Sequence, residues 1–178
     1  TLIGRHNVSN CLAAAVSAAH LGVSLDEIVT GLEQFRGVPG RLERIDCGQP
    51  FDVFIDYAHT ADALQRCLAS VRSLTAGRVL CVFGAGGDRD RFKRPLLGRA
   101  AMAADVAIVT SDNPRSEDPQ TIIAEIIQGM TSDKNQQIIE PDRDRAIQRA
   151  VSLAQPGDCV IIAGKGHESG QIVGTKVL

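Results

Sequence analysis

The sequence predicts an α/β fold, Rossmann-like and doubly wound around a mostly parallel sheet, with a short helical segment ahead of it. Three observations carry this expectation. Short β-rich runs alternate with amphipathic helical runs from residue 51 to residue 163. Runs such as VLCVF (79–83) and VIIA (160–163) are apolar throughout, as strands covered on both faces are. A Gly/Pro stretch, Arg36-Gly37-Val38-Pro39-Gly40, separates this alternation from a purely helical opening.

Taken in order, residues 1–36 read as helical. Asn7 and Asn10 lead into an Ala-rich run from Leu12 to His20, and Gly22 ends it. Ser24 with Glu27 three residues on is a capping box, followed by a helical stripe of Leu25, Ile28, Val29, Leu32 and Phe35. The domain boundary is placed after Gly40, giving units 1–40 and 41–178. Leu42–Cys47 predicts an edge strand. Strands at 51–55, 79–83, 106–110, 137–139 and 160–163 then alternate with helices at 62–74, 94–104, 121–130 and 143–153. Asp118 ahead of Pro119 marks a helix start, an N-cap followed by proline at the first helical position. The chain opens on Thr1 and closes in a β-rich stretch, QIVGTKVL, so an excised piece of a longer protein is expected.

Composition excludes several functions. The 178 residues suit one domain plus a remnant. A balance of 19 basic against 21 acidic residues leaves no cationic footprint for nucleic acid, and 3% aromatics with no Trp provides no stacking platform for single strands. No apolar run approaches the roughly 18 residues of a membrane span, and no signal peptide opens the chain. Five cysteines (11, 47, 67, 81 and 159), odd in number and without CxxC spacing, read as reduced thiols filling the core of a cytoplasmic protein. No metal site is expected on this chain.

The polar residues cluster after the strands: DYAHT (56–60), GAGGDRD (84–90), SDNPR (111–115) and GKGHE (164–168). In a parallel sheet all four emerge at the carboxyl edge, where open α/β sheets bind ligands. GAGGDRD fails as a dinucleotide fingerprint because the third Gly would fall at Arg89, and no P-loop precedes Lys165. Its glycines serve either a tight turn or close approach of a ligand, with Arg89 or the Lys93-Arg94 pair supplying positive charge. Asp-Asn-Pro (112–114) is good turn chemistry, but Arg115 brings a planar fork of donors matched to a carboxylate. Glu168 can receive an ammonium group. Arg115 and Glu168 together would recognise a zwitterion, unless they form an internal salt bridge. Asp56 sits where a carboxylate can accept from ribose hydroxyls, whereas His59 reads as a packing or capping residue. No side chain reads as a nucleophile.

In this order, GRHNVSNCLAAA, GVPGRLE, FIDYAHTADAL, FGAGGDRDRFKRP, SDNPRSEDP and AGKGHE resemble the Mur ligase family over essentially the whole chain, and within it the members that add diaminopimelate. The resemblance implies that residues 1–40 are the end of a central ATP-binding domain and that 41–178 are the carboxyl-terminal domain, truncated, which binds the incoming amino acid. It implies nucleotide contacts from Asn7, Asn10, Arg41 and Asp56. It implies diaminopimelate contacts from Arg89, Asp112, Asn113, Pro114, Arg115, Gly164 and Glu168, with Arg94 the alternative to Arg89. The implied activity joins meso-2,6-diaminopimelate to UDP-MurNAc-L-Ala-D-Glu through an acyl phosphate, with ATP as substrate and Mg2+ held mainly by the central domain. A monomer with small-molecule partners is expected, inactive as an isolated piece. The alternatives are a lysine-adding relative, which would lack Arg115, and a non-catalytic Rossmann-like module that binds a nucleotide or amino acid.

Overall fold

The computed structural model describes residues 4–131 and 135–177. The predicted helical opening therefore starts partly outside the described residues, which exclude 1–3. The chain divides into two compact units, Thr1–Val38 and Pro39–Leu178.

The first unit is a pair of helices, α1 (Arg5–His20) and α2 (Leu25–Gln34). Helix α1 starts at the N-cap Gly4 with no side-chain cap, so Asn7 and Asn10 lie inside the helix rather than at its entry. They are one turn apart, and Asn10 Nδ2 donates to Asn7 Oδ1 at 3.2 Å. Helix α2 has the expected capping box: the Ser24 amide donates to Glu27 Oε2 at 3.0 Å, and the Glu27 amide donates back to Ser24 Oγ. Of its apolar stripe only Ile28 is buried, while Leu25, Val29 and Leu32 remain exposed.

The second unit is the α/β fold. Its elements are β1 (Glu43–Ile45), β2 (Asp52–Asp56), α3 (Ala61–Arg72), β3 (Val79–Phe83), α4 (Lys93–Ala101), β4 (Val106–Val109), α5 (Pro119–Ile127), β5 (Gln136–Ile139), α6 (Arg143–Leu153) and β6 (Cys159–Ala163). A small hairpin of β7 (Ile172–Val173) and β8 (Lys176–Val177) follows. The six-stranded sheet has the order β1-β2-β6-β3-β4-β5, with β1 antiparallel and every other pairing parallel. The mostly parallel, doubly wound expectation is borne out. Strand β6, the last of the large sheet in sequence, inserts between β2 and β3, pairing Asp56 with Ala163 and Val82 with Ile162.

Alternation along the strands divides the core between two faces. Leu80, Val82, Val106, Ile108 and Val160 pack with Ala146 and Ala150 of α6 on one face. Cys81, Phe83, Ala107 and Ile161 point the other way and are equally buried, on the side where α3, α4 and α5 lie in a row. Small residues on α6 let its backbone approach the sheet. The insertion of β6 brings the ends of β2, β6, β3 and β4 side by side at one edge, with a loop leaving each.

Candidate functional site

Those four loops enclose a cavity of about 360 Å³. Tyr57, His59 and Thr60 line it from the loop after β2, Arg89 and Lys93 from the segment after β3, Asp112, Asn113 and Arg115 from the loop after β4, and Gly164 and Glu168 from the loop after β6. Of the residues expected to touch an amino acid, only Pro114 does not line this cavity.

Pro114 instead works as a wall. A Cβ on Gly87 would fall 1.8 Å from the Pro114 carbonyl oxygen, so only glycine allows the loops after β3 and β4 to meet. The Gly87 amide donates to the Asn113 carbonyl at 2.8 Å, and Arg115 Nη1 donates to the Gly87 carbonyl at 2.7 Å. The Asp88 amide donates to Glu117 Oε1, and Ser116 Oγ donates to Asp88 Oδ1, both at 2.6 Å. Two glycines of GAGGDRD, Gly84 and Gly87, therefore serve the neighbouring DNPR segment directly, with the nearest obstacle a backbone carbonyl in each case. Asp88 (φ 53) and Arg115 (φ 51), on the two facing loops, are both left-handed without being glycine. Such strain persists only where surrounding bonds hold it, and it gathers at functional sites.

The sequence left Arg89 and Arg94 as alternatives, and their environments differ sharply. Arg94 is 2% exposed and donates to both oxygens of Glu117 and to Glu125 Oε2, each at 2.7–2.9 Å. Its two terminal nitrogens hold α4, α5 and the loop after β4 together. Hydrogen bonds from Arg94, and then from the Asp88 amide, hold the Glu117 carboxyl down to about 2. Arg89 is exposed and, among the described residues, donates only to the adjacent Asp88 carbonyl. Among the described residues neither Arg89 nor Arg115 forms an ion pair. The internal Arg115–Glu168 salt bridge is absent.

Glu168 has other partners. Its Oε2 accepts from Asn113 Nδ2 at 3.0 Å and from Lys165 Nζ at 3.2 Å. Burial alone would raise its pKa, but the Asn113 and Lys165 hydrogen bonds, with a further one from Tyr57, hold the carboxyl below its ordinary value. Lys165 is itself buried and donates to Asn113 Oδ1 at 2.8 Å, while that oxygen also accepts the Ile172 amide at 2.9 Å. Asn113 is thus the node of the site, using both ends of its amide. Gly164, with φ 108, lies so close to Asp112 that a Cβ would sit 2.8 Å from Oδ2.

Of the residues expected to touch a nucleotide, Arg41 and Asp56 lie in the second unit and neither lines this cavity. Asp56 uses one oxygen for the Leu42 amide and the other for the Ala58 amide, each at 2.8 Å, fixing the chain on both sides of β2. Each oxygen keeps a lone pair for a further donor. The Arg41 guanidinium lies over the Tyr57 ring, 4.8 Å from its centroid. Asn7 and Asn10 belong to the first unit.

A family model described as the Mur ligase, glutamate ligase domain matches residues 40–166. The chain belongs to the Mur ligase family. It is 52% identical over 179 residues to a UDP-N-acetylmuramoyl-L-alanyl-D-glutamate–2,6-diaminopimelate ligase of Syntrophomonas wolfei, covering 99% of this chain and 37% of that protein. A solved structure of a ligase with the same description superposes with a TM-score of 0.77 at 41% identity, over 99% of this chain and 36% of that one. A Mycobacterium tuberculosis folylpolyglutamate synthase, solved with ADP and AMPPCP, shares the fold at a TM-score of 0.71 and 24% identity, over 92% of this chain and 38% of that one. The chain thus spans little more than a third of the length of these Mur ligase relatives.

Sequence reasoning about this Mur ligase chain missed two buried cations, Lys165 as the partner of Asn113, and Arg143. The second was detectable: Arg143, Ala146 and Ala150 share one helical face, so an arginine stands where the periodicity calls for an apolar residue. Among the described residues no three His, Cys, Asp or Glu side chains converge as metal ligands. No helix among them is long and apolar enough to cross a membrane.

Proposed function

We propose that this chain is the amino-acid-binding part of an ATP-dependent ligase that adds meso-2,6-diaminopimelate to UDP-MurNAc-L-Ala-D-Glu, a step in making peptidoglycan precursor. One observation carries the choice of amino acid: the cavity is lined by two guanidinium groups, Arg89 and Arg115, that lack carboxylate partners among the described residues. Diaminopimelate differs from lysine by a second carboxylate, and a guanidinium fork matches a carboxylate with two parallel donors. With lysine bound, Arg115 would lose its water and gain no counter-charge, so discrimination comes as much from the lost partner as from the gained one.

In this reading residues 1–40 are the end of a central ATP-binding domain that precedes the amino-acid domain, with the Gly/Pro stretch as hinge. ATP activates the D-glutamate γ-carboxylate as an acyl phosphate, and the diaminopimelate amine attacks the acyl carbon and displaces phosphate. The contribution of this chain is orientation. Arg115 and Arg89 hold carboxylate oxygens, and Asp112 and Glu168 receive ammonium protons, with Gly164 beside them in the lining. Arg41 and Asp56, with Asn7 and Asn10, are assigned to the nucleotide. Holding both reactants in one geometry supplies the rate advantage of an intramolecular reaction. The protein is read as a cytoplasmic monomer with small-molecule partners, without nucleic acid or membrane.

The test is an amide-forming assay on the complete ligase with meso-diaminopimelate and L-lysine as competing acceptors. Strong preference for diaminopimelate is expected. Equal or better use of lysine would overturn the assignment in favour of a lysine-adding enzyme.

A further inference from the structure

Arg143 stands where both helix electrostatics and burial disfavour a cation. It is the first residue of α6, directly after the N-cap Asp142, so its charge opposes the positive end of the helix dipole. It is 8% exposed, on the same face as the core residues Ala146 and Ala150, where an apolar side chain would satisfy the packing. Desolvation lowers its pKa despite the nearby carboxylates of Asp112, Glu168 and Asp144 and the Cys81 thiol.

What the guanidinium reaches explains its presence. Nη2 donates to the carbonyl of Ala163, the last residue of β6, at 2.8 Å. Nη1 reaches the carbonyl of Ser111, in the loop after β4, at 3.5 Å. The same Nη1 lies 4.0 Å from Asp112 Oδ2, a buried oxygen without a hydrogen-bond partner among the described residues. Arg143 thus ties together the roots of the two loops that carry Asp112, Asn113, Arg115, Gly164 and Glu168, and it is the cation paired with Asp112. The carbonyls of Ser111 and Ala163 immediately precede Asp112 and Gly164, whose Cα lies against the Asp112 carboxylate.

We propose that Arg143 is a positioning residue of the amino-acid site, holding the loops after β4 and β6 in register so that Asp112 and Glu168 meet the incoming amine. It contacts no substrate in this role. The inference rests on the reading of the cavity as a diaminopimelate site.

The test measures steady-state kinetics of the complete ligase in each substrate, together with thermal melting. Arg143→Lys keeps the charge but presents one point donor in place of a fork, and Arg143→Met keeps an apolar stem in the core. Both should raise the KM for diaminopimelate by about tenfold or more, with Met the worse, while the KM for ATP stays within about twofold. An unchanged diaminopimelate KM in Arg143→Lys overturns the proposal. So does a parallel rise in both KM values, which general loosening would give. If Arg143→Met fails to fold, Arg143→Lys decides alone. Failure of the unmutated ligase to use diaminopimelate removes the reading of the cavity, and the role of Arg143 with it. A normal unmutated enzyme that Arg115→Ala impairs, beside an insensitive Arg143→Lys, removes only the role of Arg143.

Discussion

Removing Arg115 separates its chemical role from its structural one. Its guanidinium donates to the Gly87 carbonyl at 2.7 Å and has no carboxylate partner among the described residues. A charge-assisted hydrogen bond to a substrate carboxylate is worth about 1.5–3 kcal/mol, or about 10- to 150-fold in affinity. Arg115→Ala should therefore raise the KM for diaminopimelate by that factor in the complete ligase and leave the KM for ATP unchanged. Losing the Gly87 bond should cost about 1 kcal/mol of stability. The backbone provides a control. Arg115 has φ 51, and Ala shares its Cβ, so the strain persists in the alanine variant. Arg115→Gly relieves a penalty of about 1–2 kcal/mol while deleting the same guanidinium. The glycine variant should thus melt no lower than the parent and bind diaminopimelate as poorly as the alanine variant. Equal losses for both substrates, or recovery of binding in the glycine variant, would show that Arg115 acts through the backbone alone.

Four further predictions follow from the same structure. Glu117 is held at about 2 against an ordinary 4.5, so its contribution is present above pH 4.5 and disappears as the pH falls from there towards 2. Urea unfolding at pH 7, 4 and 3 should show a shallower acid loss in Glu117→Gln than in the parent, and identical slopes would contradict this. Arg94→Met, which strands two carboxylates, should cost about 3 kcal/mol, the low end for a broken buried pair because Glu117 and Glu125 are partly hydrated. Gly87→Ala should destabilise by about 1–3 kcal/mol, since the new methyl would lie 1.8 Å from the Pro114 carbonyl; an unchanged melting temperature would mean the loops part freely. Burial pushes the thiols of Cys81 to about 12 and Cys159 to about 11, and raises Cys67 further. A thiol reagent should label exposed Cys47 and half-buried Cys11 in the native protein, and the other three only after unfolding.

Elements with a local cause were legible in the chain. The strands 79–83 and 106–109 show as continuous apolar runs, and the starts of α2 and α5 show in Ser24/Glu27 and Asp118/Pro119, because each depends on neighbours within a few residues. The start of α1 was misplaced because Gly4 carries no side-chain cap to announce it, while Asn7 and Asn10 imitate one. The four polar loops were legible as a group, since parallel strands must release them at one edge. Their partners were not. Arg94 and Arg89 are indistinguishable as letters, and only the carboxylates of Glu117 and Glu125 make the first a strut.

The sequence by itself determined the class of fold, the edge of the sheet that carries the site, and the residue types available there. Tertiary structure decided which of those residues are free. Inserting β6 between β2 and β3 brought Lys165 and Glu168 to Asn113, the pairing of β3 with β4 put Arg94 beside its glutamates, and Arg89 and Arg115 have no counter-charges among the described residues. The physical reason is one of range. Hydrophobic periodicity and caps act over a few residues, whereas a buried charge is settled by partners brought up from distant parts of the chain, here 55 positions apart for Asn113 and Glu168.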